Sequence, residues 1–276
     1  MVRWGPARKR TAVSVTFDHL GEAAAIEQGR WPTGEPIGRH FSVTEVLPRL
    51  LDLLGSVGVQ ASFFVEGWNA DVYPGALRGL VAAGHEVGYH GWRHESWRRL
   101  TDQQAAEILD RGCQVFGALG IRLAGVRPPG GAQPPRTFDL LRKHGFQYVS
   151  LPGFAPTVFE GLASLPYQWE DIDAFYYSPN LRGLREARGL GHDPLPPQRL
   201  EAALGHALDR GGYLTLLFHT HMLDEEPRFA VFQRVLERVV SSAEVWCAAQ
   251  RELAAWMLSH ADEYPTGLAL DTRSWG

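Results

Sequence analysis

The sequence predicts an α/β protein, a single distorted (β/α) barrel of about seven strands. Three observations carry that expectation. Apolar, β-branched runs of strand length alternate with helical patterns from one end of the chain to the other. Seven or eight such units follow one another without a hinge-like linker, which favours a closed or nearly closed barrel over an open sheet. The chain has 276 residues, enough to bury roughly three quarters of its unfolded surface without disulfides. One catalytic domain is therefore expected over residues 1–276, with a core at about 11–258 and a tail at 259–276.

The elements follow in order. Residues 12–17 are a β-branched run that stops at Asp18-His19. Residues 43–54 carry apolar side chains at helical spacing, with Thr44 or Ser42 available as N-cap. Strands are expected at 59–65, 85–89, 123–126, 147–151, 213–218 and 243–246. Helices are expected at 73–83, 101–119 (capped by Thr101), 136–144, 200–209, 229–240 and 250–260. Two Gly/Pro-rich stretches with interspersed charge, 21–41 and 179–197, break the rhythm. Loops of that length in a compact domain are usually lids or binding loops.

Composition excludes several functions. A net charge of −4 and a pI near 6.3 argue against nucleic-acid or membrane partners, both of which need a basic face. Cys113 and Cys247 are too far apart in sequence for a disulfide framework or a zinc ribbon. The basic start leads into no export signal, and the strongest apolar run, 213–218, is too short to span a bilayer. A cytoplasmic protein is expected. Histidine, at 11 residues, is the unusual count.

In a parallel barrel, functional side chains sit at the C-terminal ends of strands. The polar residues there are Asp18-His19, the stretch His90-Gly91-Trp92-Arg93-His94, Arg127, and His219 with His221. On a helical turn, His90 and His94 would share one face and chelate one ion. His19 would complete a facial set of three ligands. Asp18 reads as a cap, as a base toward activated water, or as an oxygen ligand itself. Arg127, before the rigid turn Pro128-Pro129-Gly130-Gly131, is placed to hold Asp18 by a bidentate pair, or is a strand-end surface residue. His219 suits a general acid poised near neutral pH. Asp171 or Asp173 would be the carboxylate that orients it, or the two cap a loop.

Taken in order, these motifs resemble the polysaccharide deacetylase family, over roughly residues 11–258. Thr16-Phe17-Asp18-His19 resembles its first motif, usually Thr-Phe-Asp-Asp. The His90 to His94 stretch is similar to its His-x-x-x-His metal motif, and Arg127-Pro128-Pro129-Gly130 to its Arg-x-Pro-x-Gly motif. The segments 169–173 and 216–219 resemble the fourth and fifth. The resemblance implies a divalent metal, usually zinc, with an Asp as base and a His as acid. His19 stands where the family's second Asp, a ligand, is usual. A three-histidine site (His19, His90, His94) with Asp18 as base is preferred, with Asp18 as the alternative ligand. Other segments look closer to the family's small-molecule branch, which includes imidase- and allantoinase-like hydrolases and deformylases.

The resemblance thus implies a metal-dependent hydrolase of non-peptide C–N amide bonds. Its substrate would be a small N-acyl compound, an amino sugar among the candidates, that loses acetyl or formyl. The catalytic residues would be Asp18, Arg127, His219 and Asp173. Trp68, Trp92, Pro129, Gly130 and Trp169 would line the substrate pocket, with Trp31 beside them and a backbone N–H near Pro129 to Gly131 facing the oxyanion. A cyclic imide or ureide ring-opening hydrolase, with or without metal, and a non-catalytic ligand-binding barrel are the alternatives. The sequence leaves the oligomeric state open.

Overall fold

A computed structural model describes residues 2–131 and 137–271 of the chain. Its central strand is β1 (Thr11–Asp18), buried at every residue. A parallel strand covered on both faces tolerates a near-continuous apolar and β-branched run, which this segment provides. On one side β2 (Ser62–Val65), β3 (Glu86–Tyr89), β4 (Gly125–Val126) and β5 (Tyr148–Val149) step away in parallel. A hairpin of β6 (Thr157–Phe159) and β7 (Leu162–Ser164) ends that side, with β7 parallel to β5. On the other side β8 (Gly212–His219) pairs with β1 along its whole length, from Thr11 with Gly212 to Asp18 with His219. β9 (Val245–Cys247) takes the first part of the β1 edge whose last part β2 takes.

The resulting order, β6-β7-β5-β4-β3-β2-β1-β8, is a curled strip. A parallel bridge between Ile172 and Leu217 brings the chain after β7 back against β8. The expected α/β barrel is what the chain adopts. It has nine strands among the described residues rather than seven. The sequence reading passed over β6 and β7 because three-residue strands carry no readable period. Their turn uses left-handed backbone at Glu160 (φ 47°) and Gly161 (φ 81°).

Register brings the strand-end residues to one level. Asp18 lies beside His219, although 200 residues separate them in sequence. Tyr89 pairs with Val126, so His90 and Arg127 leave their strands together. Below this end, Phe17 stacks on Phe63 with ring centroids 4.7 Å apart. Phe232, from the helix Glu226–Ser241, packs edge-on against Phe17 and Phe218 at 5.5 and 4.9 Å. These aromatic contacts fix the three strands that carry Asp18, Glu66 and His219.

Several expectations change. The helix expected at 43–54 opens with a wide π turn (Ser42–Val46) and continues as Leu47–Ser56. Neither Ser42 nor Thr44 caps it, because the Ser42 hydroxyl accepts from the Gly21 N–H and bonds His40 Nδ1. Thr101 caps the helix Asp102–Ala118 as expected, in a capping box with Gln104. The helix expected at 136–144 is described as Thr137–Lys143; residue 136 lies outside the described residues. The expected tail packs on the domain as far as residue 271. Its backbone bonds the sheet margin, with Val158 N–H donating to Pro265, Phe154 N–H to Ala269, and Asp271 N–H to Pro152. Residues 272–276 lie outside the described residues. No helix among the described residues is long and apolar enough to cross a membrane.

Gly125 supplies a test of this packing. A Cβ there would stand 1.9 Å from the fully buried Tyr148 ring. Gly125→Ala is expected to cost about 3 kcal/mol by overpacking, read as a lowered urea midpoint; an unchanged midpoint would contradict the packing described.

Candidate active site

The strand ends carry three polar groupings around one cavity of about 390 Å³. The first is built on Asp18. Its carboxylate is 5% exposed and accepts from Arg127 Nη1 at 2.5 Å. Arg127, itself 1% exposed, divides its donors. Nη1 also reaches the Thr16 hydroxyl, while Nε and Nη2 both donate to Ser150 Oγ at 3.1 and 3.0 Å. The guanidinium face lies over the Phe64 ring at 4.0 Å. The expected bidentate pair is therefore a single-oxygen contact, because Ser150 occupies the other edge of the fork. Asp18 Oδ2 is left facing His90, 3.8 Å from its Nε2.

The second grouping is His19, His90 and His94. One ring nitrogen from each lies within 4.8 Å of the others. His90 Nδ1 donates to the Arg127 carbonyl at 2.7 Å, which turns Nε2 toward Asp18 and the site. His19 Nδ1 is bonded to Glu66 Oε1 at 2.7 Å, with Asn69 Nδ2 donating to the other Glu66 oxygen at 2.9 Å. Burial pushes the Glu66 carboxyl up to about 7, against the pull of His90 and the hydrogen bonds it receives. Burial, reinforced by neighbouring imidazoles, holds His19 and His94 well below their ordinary pKa. Neutral imidazoles with Nδ1 engaged by a carboxylate or a carbonyl are the donor state that divalent transition metals select. The residues fit a metal centre.

The His90 to His94 stretch is not the helical turn that its spacing suggested. Gly91 (φ 78°) and His94 (φ 70°) are left-handed. The Glu95 carboxylate staples the loop by accepting from the N–H groups of Trp92 and Arg93 and from Trp97 Nε1. A Cβ on Gly91 would come within 2.7 Å of Glu95, so the bend needs glycine there. The two imidazoles converge through loop shape rather than through helical periodicity.

The third grouping is His219 with Asp173. Nδ1 of His219 meets Asp173 Oδ1 at 2.6 Å, and the His219 backbone N–H donates to Oδ2 at 2.7 Å. Asp173 is fully buried and also accepts from the Ala174 N–H. Burial works against the charged imidazole, yet the attraction and hydrogen bond of Asp173 outweigh it, and the pKa of His219 is raised. Of the two candidate carboxylates Asp173 is the partner. Asp171 has no hydrogen bond to His219, and burial pushes it up to about 7.

Residues 6–149 match the family model for polysaccharide deacetylases. The chain belongs to the polysaccharide deacetylase family. A peptidoglycan deacetylase of Helicobacter pylori is 32% identical over 120 residues, 41% of this chain and 40% of that one. A peptidoglycan deacetylase-like protein of Gibberella zeae is 34% identical over 151 residues, 53% and 45% of the two chains. The matched stretches thus span less than half the length of either relative. Among solved structures, a Mycobacterium smegmatis protein provisionally described as a polysaccharide deacetylase superposes with TM-score 0.82 at 25% identity, covering 98% of each chain. An allantoinase superposes at 0.75 with 19% identity over 93% of each chain, which establishes a shared fold.

Within this deacetylase-family site, Trp169 and Gly130 line the cavity as expected, as does Trp31. Three other expected substrate contacts do not reach it. Trp92 packs on Gly67 and under the Arg111 guanidinium, 3.4 Å from its ring. Trp68 turns with that strand end, its N–H bonded to the Trp92 carbonyl. Pro129 is buried against Gly91. An oxyanion donor between Pro129 and Gly131 is also restricted, since proline has no N–H and the Gly131 N–H donates to Pro128. The sequence reading left out Glu66, Ser150 and His40, whose ring is part of the cavity wall. Glu66 follows β2 directly, so the rule that found Asp18, His90, Arg127 and His219 applies to it equally. Removing the Glu66 charge while keeping its shape, Glu66→Gln, is expected to lower metal affinity by about 10–100-fold, read by competition with a chromophoric chelator. Unaltered affinity would mean that Glu66 plays no part in orienting His19.

Proposed function

We propose that this protein is a cytoplasmic, metal-dependent N-deacylase that removes an acetyl or formyl group from a small N-acyl substrate, with zinc as the first candidate metal. The observation that carries the reading is the convergence on one cavity of three imidazoles, a carboxylate held by a buried arginine, and a histidine held by a buried carboxylate. A divalent ion held by His19, His90 and His94 would supply Lewis acidity, polarising the acyl oxygen and drawing the pKa of water from about 15.7 toward about 7.

The rest falls to the chain's own groups. Asp18 Oδ2, the oxygen free of Arg127, receives the proton of the attacking water. Arg127 keeps that carboxylate pointed at the site, and Ser150 keeps Arg127 in place. His219, proton-rich because Asp173 stabilises its charged form, gives its Nε2 proton to the departing amine, which a neutral base could not do. Tetrahedral metal sites built from three histidines leave one position for substrate or water. A cavity of about 390 Å³ suits a small molecule rather than a polymer chain. The unpaired cysteines fit a reducing compartment.

Two outcomes test the roles. Asp18→Asn is expected to abolish acyl release while leaving stoichiometric metal; metal lost together with activity would make Asp18 a ligand. Asp173→Asn is expected to lower kcat by about 100-fold or more with metal content unchanged, and a kcat within a fewfold of the parent would remove His219 as the acid. Ring opening of a cyclic imide without a released acid would replace the deacylase reading with a cyclic-amide one.

A further inference from the structure

The segment 21–41 forms part of the cavity wall and brings one cation to it, Arg30. Among the described residues Arg30 has no carboxylate partner, and its guanidinium donates only to the Gln28 side-chain carbonyl. Of the acidic residues on the same segment, Glu22 is buried on the Tyr73 hydroxyl, Glu27 pairs with Arg93, and Glu35 is not among the residues that line the cavity. The other charged groups of the wall are paired, Asp18 with Arg127 and His219 with the buried Asp173. Arg228, the next cation toward His221, is paired with Glu225 at 3.0 Å. Among the described residues the cavity wall therefore carries one uncompensated positive charge. Its field reaches the histidines, because after burial and the neighbouring imidazoles Arg30 also disfavours the charged forms of His19 and His221.

Trp31, Phe41, Leu181 and Met222 add apolar surface to the same wall, beside the polar Gln28, Ser178 and Asn180. A polyanion would need several cations, whereas one guanidinium suits one negative charge. A guanidinium with an open edge matches a planar carboxylate bidentately. We propose that the substrate is a monoanionic N-acyl acid of the N-acylated amino-acid class, its carboxylate seated on Arg30, its amide toward the histidines, and its side chain branching from the carbon between them against the apolar surface. The placement of the amide rests on the deacylase reading; the anion site does not.

The test uses three N-acetylated amino acids (glycine, methionine and phenylalanine) and their neutral carboxamides, titrated calorimetrically into the metal-loaded protein, with acetate release followed in parallel. The acids are expected to bind about tenfold or more tighter than the carboxamides, as a charge-assisted pair implies. In Arg30→Gln that ratio should fall to about one, and Arg30→Lys should retain part of it. Equal binding of acids and carboxamides, a preference that survives in Arg30→Gln, or no binding of any acid would overturn the proposal. An Arg30-dependent preference without acetate release would leave the anion site standing and remove the deacylase reading. Acetate released equally from neutral amides would do the reverse.

Discussion

Two adjacent residues, Asp18 and His19, must face the same cavity, although successive side chains of a strand point to opposite sides. The chain meets that constraint by leaving extended geometry at His19, whose φ is 63°. A non-glycine residue in the left-handed region costs of the order of 1 kcal/mol or more, and the surroundings hold it there. Glu66 grips the ring, and the Thr220 hydroxyl donates to the His19 carbonyl. His94 repeats the device at φ 70°. Two of the three candidate ligands thus depend on strained backbone, and the third, His90, is fixed by the Arg127 carbonyl.

The same end of the sheet keeps its charges in separate pairs. Asp18 is matched by Arg127, and Asp173 by His219, while burial disfavours the charged forms of His19 and His94 between them. If either carboxylate crossed to the histidines, the acid and base would lose their distinct characters. The parallel register prevents this. Asp18 and His219 lie level on neighbouring strands, yet each carboxylate has its own partner, one from β4 and one from β8.

Much of this was legible in the sequence, because strand ends in a parallel barrel gather at one face. Asp18, His19, His90, His94, Arg127 and His219 were all found that way and all meet at the cavity, with Asp173, one of two carboxylates expected behind His219, buried against it. Less visible were features set by tertiary approach. The bend that joins His90 to His94 depends on Glu95 and Gly91 rather than on a 3.6-residue period. Ser150 deflects Arg127 from a bidentate grip, and no local pattern announces it. Trp68 and Trp92 look like pocket aromatics from their place in the chain, but packing on Gly67 and Arg111 takes Trp92 away. Arg30 lay in a loop whose length was readable and whose charge pattern was not, because its significance comes from partners it lacks.

X-ray absorption spectroscopy at the metal edge of the zinc-loaded protein addresses the three-histidine centre most directly. Backscattering from three imidazoles is expected in the parent, falling to two in His19→Ala and remaining at three in Asp18→Asn. A parent spectrum with two imidazoles and a carboxylate that disappears in Asp18→Asn would contradict the assignment, and would make Asp18 a ligand rather than the base.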